Sequence, residues 1–202
     1  VCPGDEVLVV EPSFVCYKPL VEVSGGVAVP LVTKEEDRFR LTAAALEAAI
    51  TPKTKLLVFP YPTNATGAVM RREDLERICR VLQKHKIYVL SDEIYSELTY
   101  GGADHTSIAA MPGMAERTVV INGVSKTYSM TGWRLGYIAA QQEMIEPMNR
   151  LAFYMTEGAT TFVQYAGVAA LHEEDGSIER MRQEFKRRRD YLVEEINKLE
   201  HF

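Results

Sequence analysis

Lys126 sits in the run Val124-Ser125-Lys126-Thr127-Tyr128-Ser129-Met130-Thr131-Gly132-Trp133-Arg134, directly after the apolar stretch 118–121. A lysine wedged among small residues behind a buried strand is oddly placed for a surface cation. Its amine can condense with an aldehyde, and pyridoxal phosphate is the aldehyde cofactor most often held that way. Three further polar clusters follow apolar runs: Tyr61-Pro62-Thr63-Asn64-Ala65-Thr66-Gly67 after 55–59, Ser91-Asp92-Glu93-Ile94-Tyr95 after 87–90, and Glu11-Pro12-Ser13-Phe14 after 7–10.

These clusters can act together only if the intervening elements bring them to one place. Strand-like runs lie at 7–10, 27–32, 55–59, 87–90, 118–121 and 135–140. Several are apolar throughout, as expected of strands covered by helices on both faces. Helical patterns lie at 43–50, where Thr42 is a good N-cap, and at 71–85. In the latter, Leu75, Ile78, Cys79 and Leu82 make one apolar face. The alternation predicts an α/β fold: a doubly wound, mostly parallel sheet with helices on both faces. In such a sheet ligands bind beyond the carboxyl ends of the strands, so all four clusters are expected at one edge.

Each residue also has an ordinary structural reading. Asp92 could cap a helix start, or it could pair with a protonated ring nitrogen and keep it charged. Tyr95 could be a half-buried aromatic or a phenol donating to a cofactor oxygen. Asn64 could bond its own turn backbone or donate its amide to a phenolate. Phe14 could be core or a ring stacked on a planar cofactor. Ser125 and Arg134 could be a helix cap and a surface cation, or together a phosphate clamp, because the guanidinium fork matches phosphate oxygens.

The rest of the chain narrows the function classes. Its 202 residues are 47% hydrophobic, enough for one substantial α/β domain or most of one. A net charge of −5 gives no overall attraction to nucleic acid or to an anionic membrane. Cys2, Cys16 and Cys79 are widely spaced and form no metal-type pair, which suits reduced thiols in the cytoplasm. No apolar run approaches the ~20 residues of a membrane span. The C-terminal third is helical, with segments expected at 144–155 and 160–172. A longer helix follows, in which Ile178, Met181, Phe185, Leu192, Ile196 and Leu199 recur at near-heptad spacing. Its other face carries Arg182, Lys186, Arg187, Arg188 and Arg189, which reads as a solvated helix face rather than a nucleic-acid contact. The abrupt start at Val1 and the end at Phe202 read as the middle of a longer enzyme.

In four pieces the chain resembles the class I/II aminotransferases, pyridoxal-phosphate enzymes related to aspartate aminotransferase. They are Pro-Gly-Asp-Glu-Val at 3–7, Asn-Ala-Thr-Gly at 64–67, Ser-Asp-Glu-Ile-Tyr at 91–95 and Ser-Lys-Thr-Tyr-Ser-Met-Thr-Gly-Trp-Arg-Leu-Gly at 125–136. The last is highly specific, and the resemblance spans essentially the whole chain. It implies that Lys126 is the Schiff-base lysine and proton shuttle and that Asp92 is the partner of the pyridine nitrogen. It likewise implies that Asn64 and Tyr95 bind the phenolic oxygen, Ser125 and Arg134 the phosphate, and that Phe14 stacks on the ring. One departure is visible: Ala65 stands where the family usually has proline, which frees a backbone angle and restores an N–H.

The resemblance further implies an incomplete large cofactor domain over 1–175, with 176–202 a long helix leading to a small domain outside the chain. Expected with it are ping-pong transamination between an amino acid and a 2-oxo acid, and a homodimer in the full-length protein. The same cofactor residues would serve a β-lyase, and a related domain can sense ligands in a transcription regulator. The N-terminal phosphate loop and the C-terminal arginine that grips the substrate carboxylate fall outside these residues.

Overall fold

The computed structural model describes residues 1–102, 104–172 and 175–199. A six-stranded sheet runs through it in the order β2-β1-β3-β4-β5-β6. The strands are β1 (Glu6–Glu11), β2 (Val27–Val32), β3 (Thr54–Pro60), β4 (Tyr88–Asp92), β5 (Thr118–Gly123) and β6 (Gly136–Ala139). The first five are parallel, and β6 returns antiparallel beside β5. The mostly parallel, doubly wound sheet expected from the alternation is therefore present.

Side-chain alternation along the central strands explains the two layers. Val7, Val9 and Val58 point to one face and pack with Tyr17 and Val21 of α1 (Tyr17–Val23). Leu8, Val10, Leu57 and Phe59 point to the other and pack with Leu46 of α2 (Ala43–Ala49) and with Leu75, Ile78, Cys79 and Leu82 of α3 (Arg72–Leu82). Leu8, Leu57, Ile78 and Leu82 are completely buried, each contributing roughly 2–3 kcal/mol of apolar burial.

Local signals set the ends of the helices. The Thr42 hydroxyl accepts a hydrogen bond from Ala45 N at 3.2 Å, starting α2 as expected. At the end of α3, the Arg117 guanidinium donates to the carbonyls of Leu82 at 2.7 Å and His85 at 2.8 Å, satisfying groups the helix leaves open. Helix α1 was not legible from the pattern: it is seven residues long, has Pro19 inside it and lacks a side-chain cap.

The short α4 (Val124–Thr127) follows β5, and the C-terminal part contains α5 (Gln142–Thr156), α6 (Thr161–His172) and α7 (Ser177–Ile196). Here the expectation of strands buried on both faces fails. All four residues of β6 are exposed, and neither α5 nor α7 buries a single residue. Most of the near-heptad stripe is uncovered: Phe185, Leu192 and Ile196 of α7 and Leu199 beyond it are exposed, while Ile178 and Met181 are half-buried. The basic face of α7 is met by carboxylates of the same helix: Arg182 pairs with Glu179, Lys186 and Arg189 with Asp190, and Arg187 and Arg188 with Glu184. Among the described residues, no helix is long and apolar enough to cross a membrane.

Candidate active site

The carboxyl ends of β1, β3, β4 and β5 open onto one cavity of about 350 Å³, within the range of small-ligand pockets. Phe14, Asn64, Asp92, Tyr95, Ser125, Lys126 and Arg134 all line it. Every predicted site residue is thus at the same edge, across a sequence span from Phe14 to Arg134. The strand order explains the place: β1 is flanked by β2 on one side and β3 on the other, and the crevice at such a switch point is the usual ligand site of an open parallel sheet.

Lys126 is aimed by the turn of helix that carries it. Val124 is fully buried and Thr127 nearly so, and residues three apart lie on one side of a helix. Ser125 and Lys126 are left half-buried, facing the cavity. The turn starts tightly because Gly123 has no side chain: a Cβ there would lie 2.9 Å from the carbonyl oxygen of Leu135 and 3.0 Å from Gly136 Cα. The Lys126 Nζ sits 5.8 Å from the centre of the Tyr95 ring.

Asp92 closes β4, and its two oxygens are separately held. Oδ1 accepts from Ile94 N at 3.1 Å, and Oδ2 accepts from the Tyr17 hydroxyl at 2.8 Å. No helix starts here, so Asp92 is not a helix cap; its bond to Ile94 N steadies the turn at 94–97 while the carboxylate lines the cavity. Burial, then the Asp92 charge and the hydrogen bond to it, push the Tyr17 phenol well above its ordinary pKa, so it stays a donor. Tyr17 is a functional candidate that sequence reasoning missed. Its partner lies 75 positions away, and no local pattern marks the contact.

The other residues correct several ordinary readings. Ser125 is not a cap, because Gly123 occupies the N-cap of α4. Phe14 is not core: it is 50% exposed, and its ring meets Tyr17 edge-on at 6.3 Å. Asn64 makes no bond from its side chain to the turn backbone among the described residues. Hydrogen bonds from Thr63 N to Ala68 O and from Gly67 N to Thr63 O hold that turn, at 3.0 and 2.8 Å. The peptide between Asn64 and Ala65 is cis.

Arg134 is exposed and adopts the left-handed conformation at φ 55° and ψ 44°. For a non-glycine residue this costs on the order of 1 kcal/mol, and such strain clusters at ligand sites. Its Nη1 donates to Thr131 O at 2.8 Å.

The donor set can be tested against a ligand. Among the described residues, the side chains of Asn64, Tyr95, Ser125 and Lys126 have no hydrogen-bond partner, yet all four line one cavity. A carboxylate, a serine, an arginine, a lysine amine and an aromatic ring share the lining with an amide and a phenol. That arrangement suits a planar, ring-nitrogen-bearing aldehyde with an anionic tail. Comparison with known proteins decides the family. The model for aminotransferase class I and II matches residues 1–202.

The chain belongs to that family.

Among its relatives, an aromatic-amino-acid aminotransferase of Thermococcus litoralis is 43% identical over 198 residues, covering 97% of this chain and 51% of the relative. An aspartate aminotransferase of Pyrococcus abyssi is 42% identical over the same length and covers the same shares. The crystal structure of an aromatic aminotransferase from Pyrococcus horikoshii superimposes with a TM-score of 0.96 at 43% identity, covering 98% of this chain and 54% of that one. A maleate-bound aspartate aminotransferase of Thermus thermophilus gives 0.93 at 38%, with 98% and 52% coverage. The chain therefore spans about half the length of the relatives it matches.

Proposed function

We propose that this chain carries the pyridoxal-phosphate site of an aminotransferase that moves an amino group between an amino acid and a 2-oxo acid. One observation supports this most: a lysine, a carboxylate, an amide–phenol pair and a serine–arginine pair meet at one cavity within a family of aminotransferases. Pyridoxal phosphate, when bound, supplies a protonated ring that accepts the electrons released when a bond at the substrate Cα breaks.

The chain's own residues do the rest. Lys126 would hold the cofactor through its aldehyde carbon, and its amine, when free, would carry the proton at the substrate Cα. Asp92, fixed by Tyr17, keeps the ring nitrogen protonated because an opposite charge at close range favours the charged form. Asn64 and Tyr95 donate to the phenolic oxygen. Ser125 and Arg134 hold the phosphate, and Phe14 covers one face of the ring. On this reading residues 1–175 are the large cofactor domain and α7 leads to a small domain. The protein is cytoplasmic, and it works as a homodimer.

Borohydride reduction of the cofactor-loaded protein carrying this chain, followed by peptide mapping, tests the anchor. The pyridoxyl label is expected on Lys126, and a label elsewhere overturns the assignment. Product analysis tests the reaction, with phenylalanine, tyrosine and aspartate as donors and 2-oxoglutarate as acceptor. Glutamate is the expected product. Release of pyruvate and ammonia, without glutamate, from a donor with a β-leaving group such as cysteine would replace transamination with β-elimination.

A further inference from the structure

Glu93 follows Asp92 directly but points away from the cavity into a buried polar cluster. It is 4% exposed. Its Oε1 accepts from the Ser91 hydroxyl at 2.8 Å and from the Ser107 hydroxyl at 2.7 Å, and its Oε2 lies 2.8 Å from His105 Nε2. Hydrogen bonds to a carboxylate are roughly twice as strong as neutral ones, and among the described residues the Ser91 hydroxyl has no other partner. Burial pushes the Glu93 carboxyl up, but the bonds from His105, Ser107 and Ser91 outweigh it and hold it below the usual carboxylate range. Glu93 is therefore an anion at neutral pH.

The backbone around Glu93 is fixed from two other directions. Glu93 N donates to Ile121 O of β5 at 2.9 Å, and Ser96 N donates to Glu93 O at 2.9 Å. Asn122, four residues before Lys126, donates from Nδ2 to the Ser96 hydroxyl at 3.3 Å. Asp92 and Tyr95 thus flank a residue whose side chain ties their turn to the loop 105–107, while its main chain ties the turn to β5.

We propose that Glu93 is a positioning residue for the cofactor: by anchoring to His105 and Ser107 it sets where Asp92 and Tyr95 stand relative to Lys126. This rests on the pyridoxal-phosphate reading above. A displaced Tyr95 donates less well to the phenolic oxygen, and a displaced Asp92 pairs less well with the ring nitrogen. Both effects reach the spectrum of the cofactor–lysine linkage, which a purely structural anchor would leave alone.

The test is Glu93→Gln in the cofactor-loaded protein, which keeps shape and one acceptor but removes the charge. Three quantities are measured: the midpoint of the visible absorption titration of the cofactor–lysine linkage, the cofactor dissociation constant and the melting temperature of the apo form. The expected result is a midpoint raised by about half a pH unit and cofactor bound roughly tenfold more weakly. A wild-type midpoint and affinity, with only the melting temperature lowered, would overturn the proposal. Should E93Q fail to fold, Ser107→Ala removes one donor and leaves the charge. The midpoint is then expected to move the same way by a smaller amount, and an unmoved midpoint has the same adverse meaning. A wild-type protein with no such titration would remove the cofactor reading itself, and this proposal with it.

Discussion

The two halves of this molecule differ in how they treat apolar surface. In β1, β3 and β4 and the helices over them, residues such as Val7, Leu8, Leu57, Leu75 and Val89 are at or near full burial. In β6, α5 and α7 no residue is buried, and Leu151, Phe153, Tyr154 and Met155 stand in solvent. The site residues belong to the first half or to its rim: Asp92 ends β4, and Lys126 follows β5 on a turn pinned by buried Val124 and Thr127. A close-packed platform holds side chains to a few tenths of an ångström, which positioned chemistry requires.

The comparison predicts that chemistry is most sensitive at the platform's edge. Lys126→Ala removes both anchor and proton carrier, so kcat should fall by at least about 10⁴-fold. The melting temperature of the apo protein should hardly move, because the Lys126 side chain makes no hydrogen bond or ion pair among the described residues. A thermal scan beside a rate measurement separates the two. A comparable fall in stability would mean that Lys126 is part of the platform rather than carried by it.

The platform itself is broken from below. Leu57→Ala deletes a fully buried side chain between β1 and β4 and should destabilise the fold by about 2–5 kcal/mol in denaturant unfolding. A loss under about 1 kcal/mol would show that the site rests on something other than this core.

Tyr17 lies between the two kinds of effect, being a buried residue of α1 whose hydroxyl touches a site carboxylate. Tyr17→Phe keeps the packing and removes the bond to Asp92 Oδ2. Hydrogen bonds to charged groups are worth about 1.5–3 kcal/mol, so cofactor affinity should fall about tenfold or more. The raised phenol pKa sets the pH window. A phenol that keeps its proton more tightly when folded destabilises the fold only above its unfolded pKa of about 10, so the variant should differ from wild type at every pH below that. An effect that appears only in alkali would contradict the assigned bond.

How much of this was legible in the sequence follows from how local each signal is. The strand ends, the Thr42 cap and the apolar face of α3 are written in runs of a few residues, and the structure has them within one or two positions. The edge that gathers Phe14, Asn64, Asp92 and Lys126 follows from parallel strands alone. The reversal of β6 was not legible, because direction depends on where the chain returns and not on the composition of 136–139. Tyr17 and Glu93 were hidden for the same reason: their partners come from distant strands and loops, and a tyrosine or a glutamate is unremarkable until those partners are known. Glu93 was read only as a neighbour of Asp92, since burial and its three partners are tertiary facts.

The smallest expected effect is the sharpest test of the contrast. Leu151 is 61% exposed on α5, against complete burial of Leu57. Removing the same atoms from this surface exposes little new area and opens no cavity. Leu151→Ala should therefore stay within about 0.5 kcal/mol of wild type in the 202-residue chain. Pairing it with Leu57→Ala holds side-chain chemistry constant and varies only surroundings. If the chain instead self-associates through this face, Leu151 is covered in solution, and its truncation should cost stability in a way that grows with protein concentration. Unfolding curves at two concentrations distinguish a bare helix face from a covered one.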